Sequence, residues 1–266
     1  HVYSMDYSKM LNAHIRNKAE VTIGAVETDI EEAASFGVIE ANNTDRIIGF
    51  EEKPENPQAV PGKPDTAYIS MGIYIFNCKT LINALKGTED DFGRDIIPKL
   101  IKGSSVFAYS FVDEEKGTPN YWRDVGTIDS YYKTNLELVN SKPAFRLKDP
   151  KWPFLAGDIA SVGVSANSII PKDCVTNNCK VVKSMFSSGV HIDASANISE
   201  SIIFKGVVIG KGVQVRKAII EQDIKIPAGT RIGYDITEDR KRFAVSPQGV
   251  VVVGAKANFK TRGHKT

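Results

Sequence analysis

Val190-His191-Ile192-Asp193-Ala194-Ser195-Ala196-Asn197-Ile198-Ser199-Glu200-Ser201-Ile202-Ile203-Phe204-Lys205-Gly206-Val207-Val208-Ile209-Gly210-Lys211-Gly212 is the stretch that decides the fold. No helical spacing survives in it. Small apolar residues return at every sixth position, Val190, Ala196, Ile202 and Val208, and again at Ile220, Ile226 and Ile232. A first ladder, out of phase with this one, runs through Ile169, Val175 and Val181. Glycine, asparagine, serine and proline fill the turns, as at Gly210, Gly212, Pro227 and Gly229. Gln214 alone breaks the second ladder, either as a polar interruption or as a change of face. A sustained six-residue period is the sign of a left-handed parallel β-helix with three short faces to a coil. A sandwich would turn about every 8–12 residues with a looser period.

Upstream the texture differs. Asp6 caps a helix whose residues Tyr7, Met10, Leu11, His14 and Ile15 form one apolar stripe, with His14 a packed residue. Val21–Val26 is a buried strand, and 36–41 with 46–51 form a hairpin turned by Asn42-Asn43-Thr44-Asp45. Pro54 ends the second hairpin strand and restricts Lys53 to an extended backbone. The prolines from Pro57 to Pro64 mark a surface loop, and 70–76 is a central strand, apolar on both faces. Helices are expected at 79–86 and 91–101, the latter kinked at Pro98, and a strand at 106–111. This alternation argues for an α/β layer with a mostly parallel sheet. Thr127 caps a further helix to about Asn140, and the prolines at 143, 150 and 153 then break regular structure. The division is 1–145 for the α/β domain, 146–160 for a linker, 161–254 for the β-helix and 255–266 for a disordered tail.

Composition narrows the function. The 266 residues are 42% hydrophobic and carry a net charge of +2, so no bulk field points to nucleic acid or an acidic membrane. The apolar runs are too short for a transmembrane helix. Cys78, Cys174 and Cys179 have no histidine near enough to complete a metal site and read as free thiols of a reducing cytosol. The first residues, from His1, have no signal-peptide character.

The polar candidates cluster at strand ends. Glu52 and Lys53 suit a sugar phosphate: the carboxylate accepts from hydroxyls, and the ammonium meets the phosphate. Gly37 and Gly72 let backbone approach a ligand, Ser70 offers a hydroxyl, and Trp122 offers an apolar wall. Asp124, after a short extended segment and before a turn, is placed to hold a divalent cation. Singly, each has a plainer reading: Glu52-Lys53 as a solvated edge, Ser70, Gly72 and Trp122 as packing, and Asp124 as the partner of Arg123.

Five segments in order make the set specific: Phe36-Gly37-Val38, Phe50-Glu51-Glu52-Lys53-Pro54, Ser70-Met71-Gly72-Ile73-Tyr74, Asp91-Phe92-Gly93-Arg94-Asp95-Ile96-Ile97-Pro98 and Tyr121-Trp122-Arg123-Asp124-Val125-Gly126-Thr127. With the β-helix they resemble the bacterial ADP-glucose pyrophosphorylases, or glucose-1-phosphate adenylyltransferases, from His1 to about Gly254. The resemblance implies a partial Rossmann-like nucleotidyltransferase domain before the β-helix. It implies that ATP and α-glucose 1-phosphate give ADP-glucose and diphosphate, on the way to glycogen. It implies Lys53 on the sugar phosphate, Glu52 and Ser70 on sugar hydroxyls, Gly37 through its backbone, and Asp124 as one of two carboxylates on Mg²⁺. A cytoplasmic homotetramer controlled by anionic effectors is implied; Arg240, Lys241 and Arg242, extended by Arg216 and Lys217, could meet such an effector or could equally be a solvated basic face.

The pattern departs from the family at its start. The family's glycine-rich loop, which cradles the ATP phosphates, has no counterpart here, and His1 matches the histidine of a Gly-Asp-His triplet that holds the second metal aspartate. The resemblance therefore implies the C-terminal part of such an enzyme, with the sugar side of the site kept and the nucleotide side missing. Its first sheet would have an exposed edge, and it would not form ADP-glucose by itself. Two other readings stand beside this one. A non-catalytic regulatory subunit would be marked by loss of Lys53 or Asp124, and both are present. A β-helix acyltransferase would use His191, the one histidine of the repeats, as base.

Overall fold

The apolar run Val21-Thr22-Ile23-Gly24-Ala25-Val26 is the buried part of a nine-residue strand, Val21–Asp29 (β1). This computed structural model describes residues 1–140, 167–257 and 259. They fall into two units, one of residues 3–122 and one joining residues 1–2 to the described residues from 123 onward.

In the first unit β1 is joined by Gly37–Ala41 (β2), Ile47–Glu52 (β3), Lys63–Phe76 (β4) and Val106–Ser110 (β5). The order is β3-β2-β4-β1-β5, with the short strand Ala59–Val60 beside β4. Only the β1–β5 pairing is parallel, which corrects the expected mostly parallel sheet. The hairpin expected at 36–51 is present, with Asn42 Oδ1 accepting from the Thr44 and Arg46 N–H groups, both at 3.0 Å; the departure is β4, which runs antiparallel to both β1 and β2. β4 begins at Lys63, inside the stretch read as a loop, with Pro64 tolerated near the strand start. Between Ile23 and Ala25 the register slips against β4, and Gly72 takes φ 70° there. Such a bulge needs a residue free to go left-handed.

Each face of the sheet has its own core. One gathers Met5, Met10, Val38, Ile69, Met71 and Trp122; the other gathers Ile23, Ala25, Ile39, Ile47, Ile97 and Ala108. The helix Tyr7–Arg16 (α1) is capped by Asp6, which accepts from the Ser8 N–H at 2.9 Å. It buries Met10, Ala13 and His14 but leaves Tyr7, Leu11 and Ile15 exposed, so the expected single stripe is two, and one faces outward. His14 is packed, its Nδ1 lying 2.8 Å from Thr22 Oγ1. The expected 91–101 helix is a π-helical turn, Phe92–Ile96, followed by the helix Ile97–Ile101 with Pro98 in its first turn, where proline loses no hydrogen bond.

The second unit contains the parallel β-helix. Lys180, Asn197, Gln214 and Arg231 stand opposite one another in successive coils, 17 residues apart. Three six-residue faces would need 18, so one face is shorter. The fully buried ladder Ile192, Ile198, Ile203, Ile209, Val215, Ile220 steps by six, five, six, six and five. Each short step passes a left-handed residue, Glu200 at φ 48° or Lys217 at φ 51°. After that corner comes a buried serine rung: the Ser184 N–H donates to Ser168 Oγ and the Ser201 N–H to Ser184 Oγ, both at 3.1 Å. Gln214 is therefore no interruption, since Val215 takes the inward place.

The helix Ile128–Leu138 (α2) belongs with these coils. Thr127 Oγ1 accepts from the Ser130 N–H at 3.0 Å while Ser130 Oγ accepts from the Thr127 N–H at 3.1 Å, a capping box. Tyr131 and Tyr132 pack on Ile202, Ile219 and Val250, and the Tyr132 hydroxyl donates to Glu200 O at 2.6 Å. By contacts the units accordingly divide between Trp122 and Arg123. The 146–160 linker lies outside the described residues. Of the tail expected to be disordered from Ala255, Ala257 and Phe259 pack on the coil core, Phe259 with its ring 5.8 Å from that of Phe243.

Candidate functional site

β2 and β3 bring two predicted residues together, since Gly37 stands opposite Glu52 in the register. One step on, the Lys53 N–H donates to Phe36 O at 3.0 Å. The chain then turns at Lys53 with φ 49°. This corrects the extended backbone expected before Pro54. The cross-strand bond fixes the amide, Pro54 is buried, and the turn falls on the residue between. A left-handed residue with a side chain costs about 1–3 kcal/mol and persists where its surroundings over-determine it. The turn carries Lys53 out of the ladder, and its side chain is exposed.

The Glu52 side chain is half-buried and, among the described residues, makes no hydrogen bond or ion pair. Glycines surround it instead. A Cβ at Gly37 would stand 2.9 Å from Glu52 Oε2 and collide with the Phe50 ring. A Cβ at Gly93 would fall well inside contact distance of Glu52 Oε2 and 3.0 Å from its Cδ.

Gly93 lies in the π-helical turn, whose cap Asp91 accepts from the Arg94 N–H at 2.8 Å. That backbone bond, helped by the Arg94 charge, the Gly93 amide and the Lys53 ammonium, holds the Asp91 carboxyl below its ordinary range. Phe92 stacks on Tyr74, ring centres 5.6 Å apart. Burial raises the Tyr74 phenol, opposed by a hydrogen bond with Ser70 and reinforced by the charges of Glu52 and Asp91. Ser70 Oγ also accepts from the Gly72 N–H at 3.2 Å, across the bulge.

Gly37, Glu52, Lys53, Ser70 and Gly72 thus come together where the open end of the β2–β3 hairpin meets the middle of β4, with Asp91, Gly93 and Tyr74 added. These three lie inside motifs quoted from the sequence but carried no assigned role there. Trp122 does not stand as an open apolar wall. It is 7% exposed and meets Phe36 edge-on at 5.4 Å, so it supports the start of β2 from the core. A cavity of about 240 Å³ lies elsewhere in this unit, lined by Glu27, Ile39, Asn42, Gln58 and Tyr68, and includes none of the predicted residues.

In the other unit Asp124 is 30% exposed, with its Oδ1 3.2 Å from His1 Nε2. Arg123 pairs with Glu137 at 3.2 Å. The expected effector residues differ in environment. Arg216 is exposed and lies 5.1 Å from the centre of the Tyr234 ring, and Arg240 and Lys241 are exposed, Lys241 paired with Glu238. Lys217 Nζ donates to Gln248 O at 2.7 Å. Arg242 is an internal group: it bonds to Asp239, which is 1% exposed, and to Arg231 O. His191 is partly exposed, 3.7 Å from Asp193.

Residues 1–141 match the family described as Nucleotidyl transferase, and residues 152–253 match the family described as GlmU-like, C-terminal hexapeptide. A protein of Vibrio cholerae named Glucose-1-phosphate adenylyltransferase 2 is 41% identical, over 98% of this chain and 69% of its own length. The chain belongs to the glucose-1-phosphate adenylyltransferase family. A glucose-1-phosphate adenylyltransferase of Dechloromonas aromatica is 39% identical, over 96% of this chain and 63% of its own length. Another, from Alkalilimnicola ehrlichii, is 40% identical, over 95% and 64%. The chain thus spans less than two thirds of the length of these two adenylyltransferases. No described helix is long and apolar enough to cross a membrane.

Proposed function

We propose that this chain carries the sugar-phosphate side of an enzyme that joins glucose 1-phosphate to ATP, giving ADP-glucose and diphosphate for glycogen synthesis. A phosphate oxygen of the sugar phosphate attacks the α-phosphorus of ATP. The bond from that phosphorus to the β-phosphate oxygen breaks, and diphosphate leaves. Such a transfer depends on positioning and charge neutralisation rather than on a covalent intermediate. The observation that carries the reading is Glu52 beside Lys53 at the end of β3. The carboxylate there has no protein hydrogen bond among the described residues, and the ammonium is turned out of the ladder by a strained backbone. The first can take sugar hydroxyls and the second the phosphate, with Ser70 as a further hydroxyl partner.

Mg²⁺ belongs to the proposal as counter-charge for the phosphates. Asp124 would supply an oxygen ligand, but no group of three or more His, Cys, Asp or Glu gathers among the described residues. One carboxylate suits Mg²⁺ only together with substrate phosphates, which would complete its ligand set. A cytoplasmic tetramer is part of the same reading. So are anionic effectors, met by the exposed Arg216, Arg240 and Lys241.

Lys53→Ala in the full-length protein tests it. Loss of a charge-assisted contact of about 1.5–3 kcal/mol raises the apparent glucose 1-phosphate constant roughly ten- to a hundred-fold. The ATP constant barely moves. An unchanged sugar-phosphate constant makes Lys53 a solvated edge charge and removes the reading's main support.

A further inference from the structure

We propose that Gly93 is a positioning residue for Glu52, and that its missing side chain is what lets the Glu52 carboxylate stand ready for sugar hydroxyls. The inference rests on the sugar-phosphate reading of the site and adds to it the means by which the carboxylate is held. The Glu52 carboxylate has no hydrogen bond or ion pair to fix it among the described residues, yet the residue is half-buried. A flexible carboxylate in that state would sample several rotamers, and each lost rotamer would count against binding. Steric walls do the fixing. Gly37 is its cross-strand partner, and a Cβ there would meet Glu52 Oε2 at 2.9 Å. Gly93 closes the other side, where a Cβ would overlap Oε2 and lie 3.0 Å from Cδ.

The demand at Gly93 is for space, not for backbone freedom. Gly93 is buried and is absent from the residues with positive φ, so alanine would suit its backbone. The turn that carries it is also fixed independently of Glu52: Asp91 caps the turn, and Phe92 stacks on Tyr74. The slot therefore exists without the glutamate, and the glutamate fills it. Both carboxylate oxygens remain open to donors from a ligand, and hydroxyl donors to a carboxylate are the charge-assisted kind. A methyl group at position 93 would push the carboxylate out of register with those donors while leaving its charge in place.

The experiment uses the full-length protein with glucose 1-phosphate and ATP, on Gly93→Ala, Glu52→Asp, Glu52→Gln and the Gly93→Ala/Glu52→Asp double variant. Gly103→Ala is the control, since a Cβ there meets nothing within 4 Å. Gly93→Ala raises the glucose 1-phosphate constant about ten-fold, as for a lost charge-assisted bond, with the ATP constant unchanged. In the Glu52→Asp background, where the side chain is one methylene shorter, the same substitution adds little, and this non-additivity marks action through Glu52. Equal effects in the two backgrounds overturn the proposal. So does a Gly93→Ala variant with the constants of Gly103→Ala, when Glu52→Gln has raised the sugar constant. An unchanged constant in Glu52→Gln instead overturns the sugar-phosphate reading itself. Should Gly93→Ala alone not fold, restored folding in the double variant supports the slot, and a double variant equally unfolded overturns it.

Discussion

Asp124 has one side-chain oxygen against His1 and is 30% exposed. Its replacement by asparagine keeps the shape and removes one charge from any cation bound there. In the full-length protein Asp124→Asn lowers turnover about a hundred-fold, in line with the several kcal/mol a metal ion contributes to such a transfer, and leaves thermal stability near that of the parent. Near-parental turnover at limiting Mg²⁺ sinks the metal role. Residues of this kind differ in how far the sequence exposes them. Glu52 and Lys53 are legible because two opposite charges sit together at the end of a hairpin strand, just before a proline. The left-handed turn at Lys53 is not, because the Phe36 carbonyl that captures its amide lies 17 positions away. Gly93 is hidden for the same reason: its neighbour is Glu52, and local spacing says nothing about a contact across 41 positions.

At the scale of elements, the repeat period shows both the reach and the limit of pattern. Six-residue spacing identifies the coil. It cannot reveal that one corner drops a residue, because Ile202 is apolar enough to pass as an inward rung while the rung is Ile203. Helix α1 misled in a similar way, its Tyr7, Leu11 and Ile15 forming a second stripe one step around from Met10 and His14. The basic run 240–242 is a third case, where adjacent like residues have opposite environments. Arg242 bonds to Asp239, and Asp239 Oδ2 in turn accepts from the Gly233 N–H at 2.8 Å, so the pair ties the helix Ile236–Arg240 to the coil beside it. Removing one partner of a buried pair costs about 3–5 kcal/mol, whereas an exposed charge is worth little. Arg242→Ala accordingly lowers the melting temperature markedly, and Arg240→Ala leaves it within error. Equal melting of the two variants makes Arg242 a surface charge like its neighbour.

The whole chain holds cores that share no residues: two against the sheet of residues 3–122, and two in the described residues from 123 onward. Coils bond mainly to adjacent coils, so that unit gains stability rung by rung, while the sheet must close pairings such as β1 with β5, some 85 positions apart. Separate cores built on such different rules need not melt together, and a chain of more than one unit is where two-state unfolding fails. Ile209 and Ile69 are each fully buried, one in each unit, and a large-to-small change at such a place costs about 2–5 kcal/mol. Calorimetry of Ile209→Ala moves one transition downward and leaves the other in place, and Ile69→Ala does the reverse. A single transition shifted alike by both variants shows that the two units unfold as one, and that the division between Trp122 and Arg123 has no thermodynamic meaning.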